Sequence, residues 1–386
     1  MIPITDLRFP AGLLQRDLRE GEPALADLEA EWWELWGRTP GATPFQSPAW
    51  LLPWWRHLGR GRLLTLAWRA EGRLVGLAAF TLSASPGLPL RRLPLRRLRL
   101  LGCGHSDYLD LLVAPGWEAP VLASLAEWLD QGEGWDCCDF RHLRPESPLL
   151  LRPELGSGSV QETCPYLPLP PCDESWEDTL PRGLREGLRY SRRRLARESG
   201  LELLSVREVG LQPCLERFFQ LHARRWRSRG LPGSFAGERV RRFHREAAEA
   251  LEARGLLRLY LLRIGGRDAA AFYGFQSGDR LYYYAGGLEP ELGKHGPGNL
   301  LIAHAAREAV REGARELDFL RGDESYKYRW GARDRFSYRL LRARPGVRGK
   351  ASLLLTGAEE RLYRQVVRWA RSYSASGNRK RVQLSQ

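Results

Sequence analysis

The chain has 386 residues, 43% of them hydrophobic, and a formal net charge of +14. That length exceeds the usual size of one compact core, so two domains are expected. No uninterrupted apolar run approaches the roughly 20 residues of a membrane span, and the opening MIPITDLRFPAGLL has no basic segment followed by an apolar one, so a cytoplasmic protein without a membrane span is expected.

The first half carries a faint α/β grammar. ALADLEAEWWELW and SPAWLLPWWRHLG read as helices, and RLLTLAWRA and RLVGLAAFTL as a hairpin around Glu71 and Gly72. RRLPLRRLRL, from Arg91, stands out as a basic cluster. YLDLLVA reads as a strand, APVLASLAEWLDQG as a helix and WDCCDFRHL as another strand. Between them GHSDYLD, Gly104 to Asp110, is a polar patch that suits either a turn with an Asp cap or a substrate contact. The proline-rich YLPLPPCDESW reads as a linker.

The second half is clearer. RGLREGLRYSRRRLAR, Arg182 to Arg197, holds seven arginines and one glutamate on a thin stripe of Leu184, Leu188 and Leu195. It can dock on the body while showing arginines to solvent, to phosphates or to nucleic acid. LELLSV is then a strand, LQPCLERFFQLHARRWRSRG and GERVRRFHREAAEALEARG are helices closed by glycine, and LLRLYLLRI, AAAFYGFQ and RLYYYAGGL form an antiparallel meander. LGKHGPGN, Leu292 to Asn299, is too rich in glycine to be regular, and the helix NLLIAHAAREAVREGA follows it. RELDFL is a strand expected to pair parallel to its predecessor, DESYKYRWG a short helix and FSYRLLRAR a final strand. A helix, GAEERLYRQVVRWARSY, leads to a basic tail, SASGNRKRVQLSQ, expected to be disordered.

Two of these stretches have chemistry in them. The Gly loop places Gly293, Gly296 and Gly298 before a helix whose first N–H groups lack intrahelical partners, which makes either an ordinary cap or an anion site. If DESYKYRW is helical, Asp323, Tyr326, Lys327 and Trp330 share one face at the carboxyl end of a strand. A phenol and an ammonium there can protonate a leaving group or hold an oxyanion, whereas an Asp323–Lys327 ion pair on a solvated face is the plainer outcome. Only four of the 60 basic residues are lysines, Lys294, Lys327, Lys350 and Lys380, and two of them fall in these stretches. In HARRW, His222 lies on the apolar stripe of its helix, as a core histidine would. The six cysteines, Cys103, Cys137, Cys138, Cys164, Cys172 and Cys214, make no CxxC pair or zinc spacing, so reduced thiols and no metal are expected.

The order of elements in the second half resembles the GNAT acyltransferase fold. FFQLHARRW, HGPGNLLI and above all DFLRGDESYKYRW resemble the CelD-like acetyltransferases associated with cellulose and exopolysaccharide synthesis, which are similar in turn to the Fem-type aminoacyltransferases. The resemblance covers roughly Leu180 to Arg342, with TPFQSPAWL and GHSDYLD matching in outline. It implies an α/β (α+β) fold of tandem GNAT-like units, each a mixed, largely antiparallel sheet flanked by helices. The expected units are 1–165 and 166–345, with a C-terminal helix and tail over 346–386.

The resemblance also implies an acetyl-CoA or other acyl-CoA donor with its pyrophosphate near Lys294, Gly296, Gly298 and Asn299, and an acceptor such as an amino sugar or polysaccharide precursor. Tyr326 is the expected acid, with Lys327 beside it, and the base is Asp323, Glu324 or His222. Asp107, Tyr108, Asp318, Arg321 and Trp226 are the expected substrate contacts. The donor loop only approximates the Q/R-x-x-G-x-G/A pattern of the wider fold, and a Fem-like aminoacyl-tRNA donor is the alternative, with the Arg-rich helix as its contact. A noncatalytic module that keeps the fold is a third reading.

Overall fold

The computed structural model describes residues 14–85, 95–132, 134–172, 176–198, 200–359, 361–362 and 365. Two compact units result: Met1–Thr163 with Arg335–Gly349, and Cys164–Asp334 with Lys350–Gln386. The expected basic tail lies outside the described residues, as does most of the helix expected before it.

The first unit contains β1 (Leu14–Glu20), α1 (Glu22–Ala26), α2 (Glu29–Arg38), α3 (Pro48–Leu58), β2 (Arg62–Ala70), β3 (Arg73–Ser85), β4 (Leu95–Leu100), β5 (Leu112–Val113), α4 (Glu118–Gln131), β6 (Cys137–Leu143) and β7 (Ser157–Thr163). The basic cluster from Arg91 thus includes a strand, β4, and Arg97 within it is only 1% exposed. YLDLLVA contributes only the two residues of β5. β4 and β6 pair in parallel through two registers, Arg97↔Cys137 and Leu98↔Cys138, with α4 between them in sequence. A parallel pair needs such a crossover, and an apolar stripe of Val121, Leu122, Leu125 and Leu129 buries α4.

The second unit contains β8 (Tyr166–Pro168), α5 (Arg182–Glu198), β9 (Leu201–Ser205), α6 (Val206–Val209), α7 (Leu211–Arg227), α8 (Glu238–Ala253), β10 (Leu257–Ile264), β11 (Arg267–Ser277), β12 (Arg280–Leu288), α9 (Pro297–Arg311), β13 (Glu316–Asp318) and α10 (Ser325–Arg329). Its strand order is β8-β13-β12-β11-β10-β9, and only β12 and β13 pair in parallel. The segment read as a linker therefore supplies an edge strand, β8, antiparallel to β13.

Alternation along the strands separates two cores. Phe272 and Leu281 join Leu300, Ala303 and Ala306 of α9 in one apolar cluster with Leu188 and Leu195 of α5. Tyr273, adjacent to Phe272 and so on the opposite face, meets Phe218 of α7 with ring centroids 5.1 Å apart. Phe218 is fully buried, which contributes roughly 1.5–3 kcal/mol relative to exposure.

The last strand departs from expectation. FSYRLLRAR forms β14 (Phe336–Ala343), and it pairs antiparallel with β6 and β7 of the first unit, completing the order β1-β2-β3-β4-β6-β14-β7. Both neighbours of β14 are thus strands more than 170 residues earlier in the chain. Sequence adjacency to α10 suggested the second sheet, but β8 already occupies the β13 edge there.

Candidate active site

In the second unit β12 and β13 pair only through Arg280↔Glu316, Leu281↔Leu317 and Tyr282↔Asp318, while β12 runs on to Leu288. Beyond Tyr282 the ladder stops because β13 ends at Asp318, and among the described residues the rest of that edge of β12 has no strand partner. The register of β12 against β11 also shifts between Tyr273 and Gly274, leaving Tyr284 as an extra residue. Such a bulge twists a strand and re-aims its backbone groups. An extended ligand can therefore hydrogen-bond to this edge of β12 as a strand would.

The far wall is the chain after β13. Leu320 adopts a left-handed φ of 56°, and Asp318, fully buried, accepts a hydrogen bond from its N–H at 2.7 Å. Lys327, 2% exposed, donates from Nζ to the carbonyls of Leu320, Arg321 and Gly322 at 3.1, 3.0 and 2.9 Å, and its ion pair with Glu324 spans 2.9 Å. An ammonium has three donors, and here the turn takes them. The expectation that Lys327 faces a ligand is therefore corrected: it locks the turn that presents Glu324 and Tyr326.

The expected helix face is also shorter. α10 covers Ser325–Arg329 with Glu324, in extended conformation, as its N-cap. Asp323 precedes the helix and is exposed, so the Asp323–Lys327 spacing does not make an i, i+4 pair, and Lys327 pairs with Glu324 instead. Trp330 is fully buried in the apolar cluster.

Tyr326 lies edge-on to Phe319, with centroids 6.2 Å apart and rings at 88°. Burial raises its phenol well above the usual range, and the neighbouring Tyr283 and Glu324 add to the effect while Arg225 opposes it. Burial likewise raises the Tyr283 phenol, against an opposing charge and hydrogen bond from Arg225. Two phenols, the Glu324 carboxylate and the Arg225 guanidinium therefore converge where β12 leaves β13. Arg225 also donates from Nη1 to the carbonyl of Gly286 at 3.3 Å, and its Nε is buried without a hydrogen-bond partner among the described residues.

Sequence reading passed over Arg225. Its position three residues after His222 in HARRW was the available signal, but the reach to β12 depends on packing. A Cβ on Gly287 would lie 2.6 Å from Leu221 Cβ and 2.9 Å from the His222 nitrogen, so glycine there lets α7 approach the strand.

At the end of β12 the chain enters the Gly loop. Gly296 is left-handed at φ 64° and caps α9, Pro297 takes the first helical position, and Gly298 and Asn299 complete the first turn. A Cβ built on Gly298 meets nothing within 4 Å, so this helix end is open, and Lys294 just before it is exposed. Helix dipole, open first turn and nearby ammonium all favour an anion.

Other expected residues lie elsewhere. His222 sits among aromatic rings, 4.7 Å from Phe235 and 5.9 Å from Trp226 between centroids, with Ser234 Oγ 3.5 Å from its Nε2. Burial, aided by Arg225, pushes its pKa down to about 3, which makes it a weak base and a core histidine. Trp226 packs in the same group, under the cation of Arg229 at 5.7 Å. Asp107 and Tyr108 are interior residues of the first unit, 4% and 1% exposed, Tyr108 with φ 51°. Burial raises Asp110 to about 6 in the same loop. Arg321 is half-buried in the turn that Lys327 holds. Among the described residues there is no group of three or more His, Cys, Asp or Glu side chains that could hold a metal ion, and no helix long and apolar enough to cross a membrane.

Residues 182–328 match the family model of the acetyltransferase (GNAT) domain. The match spans α5 to α10 and contains both the strand opening and the Gly loop; it marks this region as a GNAT-type acetyltransferase domain and the protein as an acyltransferase. Among solved structures the chain is similar to FemX, at 13% identity and a TM-score of 0.59, covering 81% of this chain and 95% of that one. It is also similar to L-PGS from Bacillus licheniformis, at 13% identity and a TM-score of 0.52, covering 85% and 95%. A conserved protein of unknown function from Bacteroides thetaiotaomicron VPI-5482 aligns at 12% identity and a TM-score of 0.55, covering 85% and 100%. At these identities the likeness is one of fold. No curated protein matches the chain.

Proposed function

We propose that the protein transfers an acyl group, acetyl in the simplest case, from acyl-CoA to an amine or hydroxyl of a polar acceptor such as an amino sugar or exopolysaccharide precursor, in the manner of the CelD-like acetyltransferases. The observation that carries this reading is the opening between β12 and β13, which leads directly into the Gly loop. A thioester lying along the free edge of β12 puts its pyrophosphate at Gly296, Gly298 and Asn299, with Lys294 close by.

The acceptor nitrogen or oxygen attacks the thioester carbon, the C–S bond breaks, and the thiolate takes a proton from Tyr326. Glu324 or Asp323, both exposed at the same mouth, accepts the proton that the acceptor loses. Arg225 offsets the negative charge that develops beside the phenols. Lys327 contributes by shaping the turn, and His222 by packing.

A second reading, an aminoacyl-tRNA donor, rests on α5. Arg182, Arg189, Arg193 and Arg197 are exposed along it, although Glu186, Asp178 and Glu177 pair with several arginines of this helix. Thermal melting with acetyl-CoA, longer acyl-CoAs and free CoA separates the two. Ligand at about 100 times its dissociation constant adds about 2.7 kcal/mol, or roughly 2–4 °C. The shift should vanish in Gly298→Leu, whose side chain enters open space. Absence of any shift, together with steeply salt-dependent tRNA binding that is lost on charge reversal in α5, would replace acyl-CoA by aminoacyl-tRNA.

A further inference from the structure

At the other edge of the second sheet, separated from the β12–β13 opening by β11, lies a partly open cavity of about 70 Å³ between α5, β9, β10 and α9. Its floor is apolar. Leu201 and Leu203, alternate residues of β9, face it together with Leu262 of β10, and Leu203 remains 42% exposed. Apolar surface is thus left uncovered in a concave site.

Its mouth is cationic. Arg192 of α5 and Arg307 of α9 both donate to one oxygen, Oε1 of Glu177, at 2.6 and 3.0 Å. His304, one turn before Arg307, lines the wall and meets Tyr260 edge-on at 5.0 Å. The charges acting on His304 are Arg192, Arg307, Arg311 and Glu308. Counted with Glu177, three guanidiniums stand against two carboxylates, an excess of one positive charge. Guanidinium forks suit a planar carboxylate, and the excess suits a monoanion. The leucine floor suits an aliphatic chain.

We propose that this cavity binds a small amphiphilic monocarboxylate, with the carboxylate at Arg192 and Arg307 and the chain on Leu201, Leu203 and Leu262. The site is independent of the acyl-CoA reading, because it shares no residue with the strand opening or the Gly loop.

Isothermal titration of the full-length chain at fixed ionic strength tests this with four probes kept below micellar concentration: octanoate, octanol, octylammonium and acetate. Octanoate should bind saturably. Octanol lacks the charge and acetate the chain, so each should bind at least about tenfold more weakly, and octylammonium should not bind. Leu203→Trp fills the floor from an exposed position and Arg307→Gln removes one fork at the surface. Both variants should melt within a few degrees of wild type, keep any response to CoA, and lose about tenfold or more in octanoate affinity. No saturable octanoate binding by the folded wild type, equal binding of octanol or octylammonium, or undiminished binding in both variants would overturn the assignment.

Discussion

The Tyr326 phenol is held protonated by burial and by the carboxylate of Glu324, so at neutral pH it can donate a proton and cannot accept one. Tyr326→Phe should therefore lower kcat by about 10²-fold or more with KM little changed, measured by steady-state acyl transfer. A loss confined to KM would reassign the phenol to binding. His222 illustrates the opposite case, a titratable residue whose packing takes it out of the chemistry. Its folded pKa of about 3 lies below the unfolded value near 6.5, so the unfolded state binds the extra proton between those values. The neutral buried ring thus favours folding fully above about pH 6.5, and this contribution is lost as pH falls towards 3. In His222→Gln the drop in unfolding free energy from pH 7 to pH 5 should shrink by about 2 kcal/mol, as read from urea titrations. An unchanged drop would show that the ring is not buried neutral.

At the scale of elements, DESYKYRW was legible as a short helix following a strand, and its chemistry-bearing residues were legible as a group. Their roles were not, because periodicity states which residues share a face and leaves open which backbone groups fold back on that face. The turn from Leu320 to Gly322 points three carbonyls at Lys327, and the three donors of its ammonium satisfy them. Lys327→Met should leave those carbonyls and Glu324 unpaired, lowering stability by about 3 kcal/mol in urea unfolding and loosening the wall that carries Tyr326. A variant as stable as wild type would return Lys327 to the list of ligand-facing groups. Arg225 was missed for a related reason: its reach to β12 depends on glycine at 287, more than 60 residues away in the chain.

For the whole molecule, the exchanged strand has the largest consequence. β14 lies between β6 and β7, so the first sheet depends on residues that follow the second unit's α10. A chain ending at Asp334 retains residues 1–163 yet exposes the ladders of both β6 and β7. Limited proteolysis should cut the first unit of such a chain far faster than in the full-length protein. Equal resistance would mean that β6 and β7 can close the sheet directly. The net charge of +14 is not by itself the mark of an anionic partner. Several arginines of α5 meet Glu177, Asp178 and Glu186, and three basic side chains, Arg99, Arg141 and Arg339, surround the buried Asp139 of the first unit.

By itself the sequence determined most of the local elements, though not β1, β7 or β8, together with the helix stripes, the β10–β11–β12 meander and the glycines ahead of α9. Each of these depends on residues within about one element's length, where period 2, period 3.6 and turn chemistry act directly. Tertiary structure alone decided that β14 belongs to the first sheet, that the linker supplies β8, that Lys327 turns inward, and that Arg225 reaches the strand opening. Those outcomes depend on pairings between distant segments, where several partners are equally compatible with the local pattern and the choice falls to whichever edge is open and whichever polar group would otherwise be buried unsatisfied.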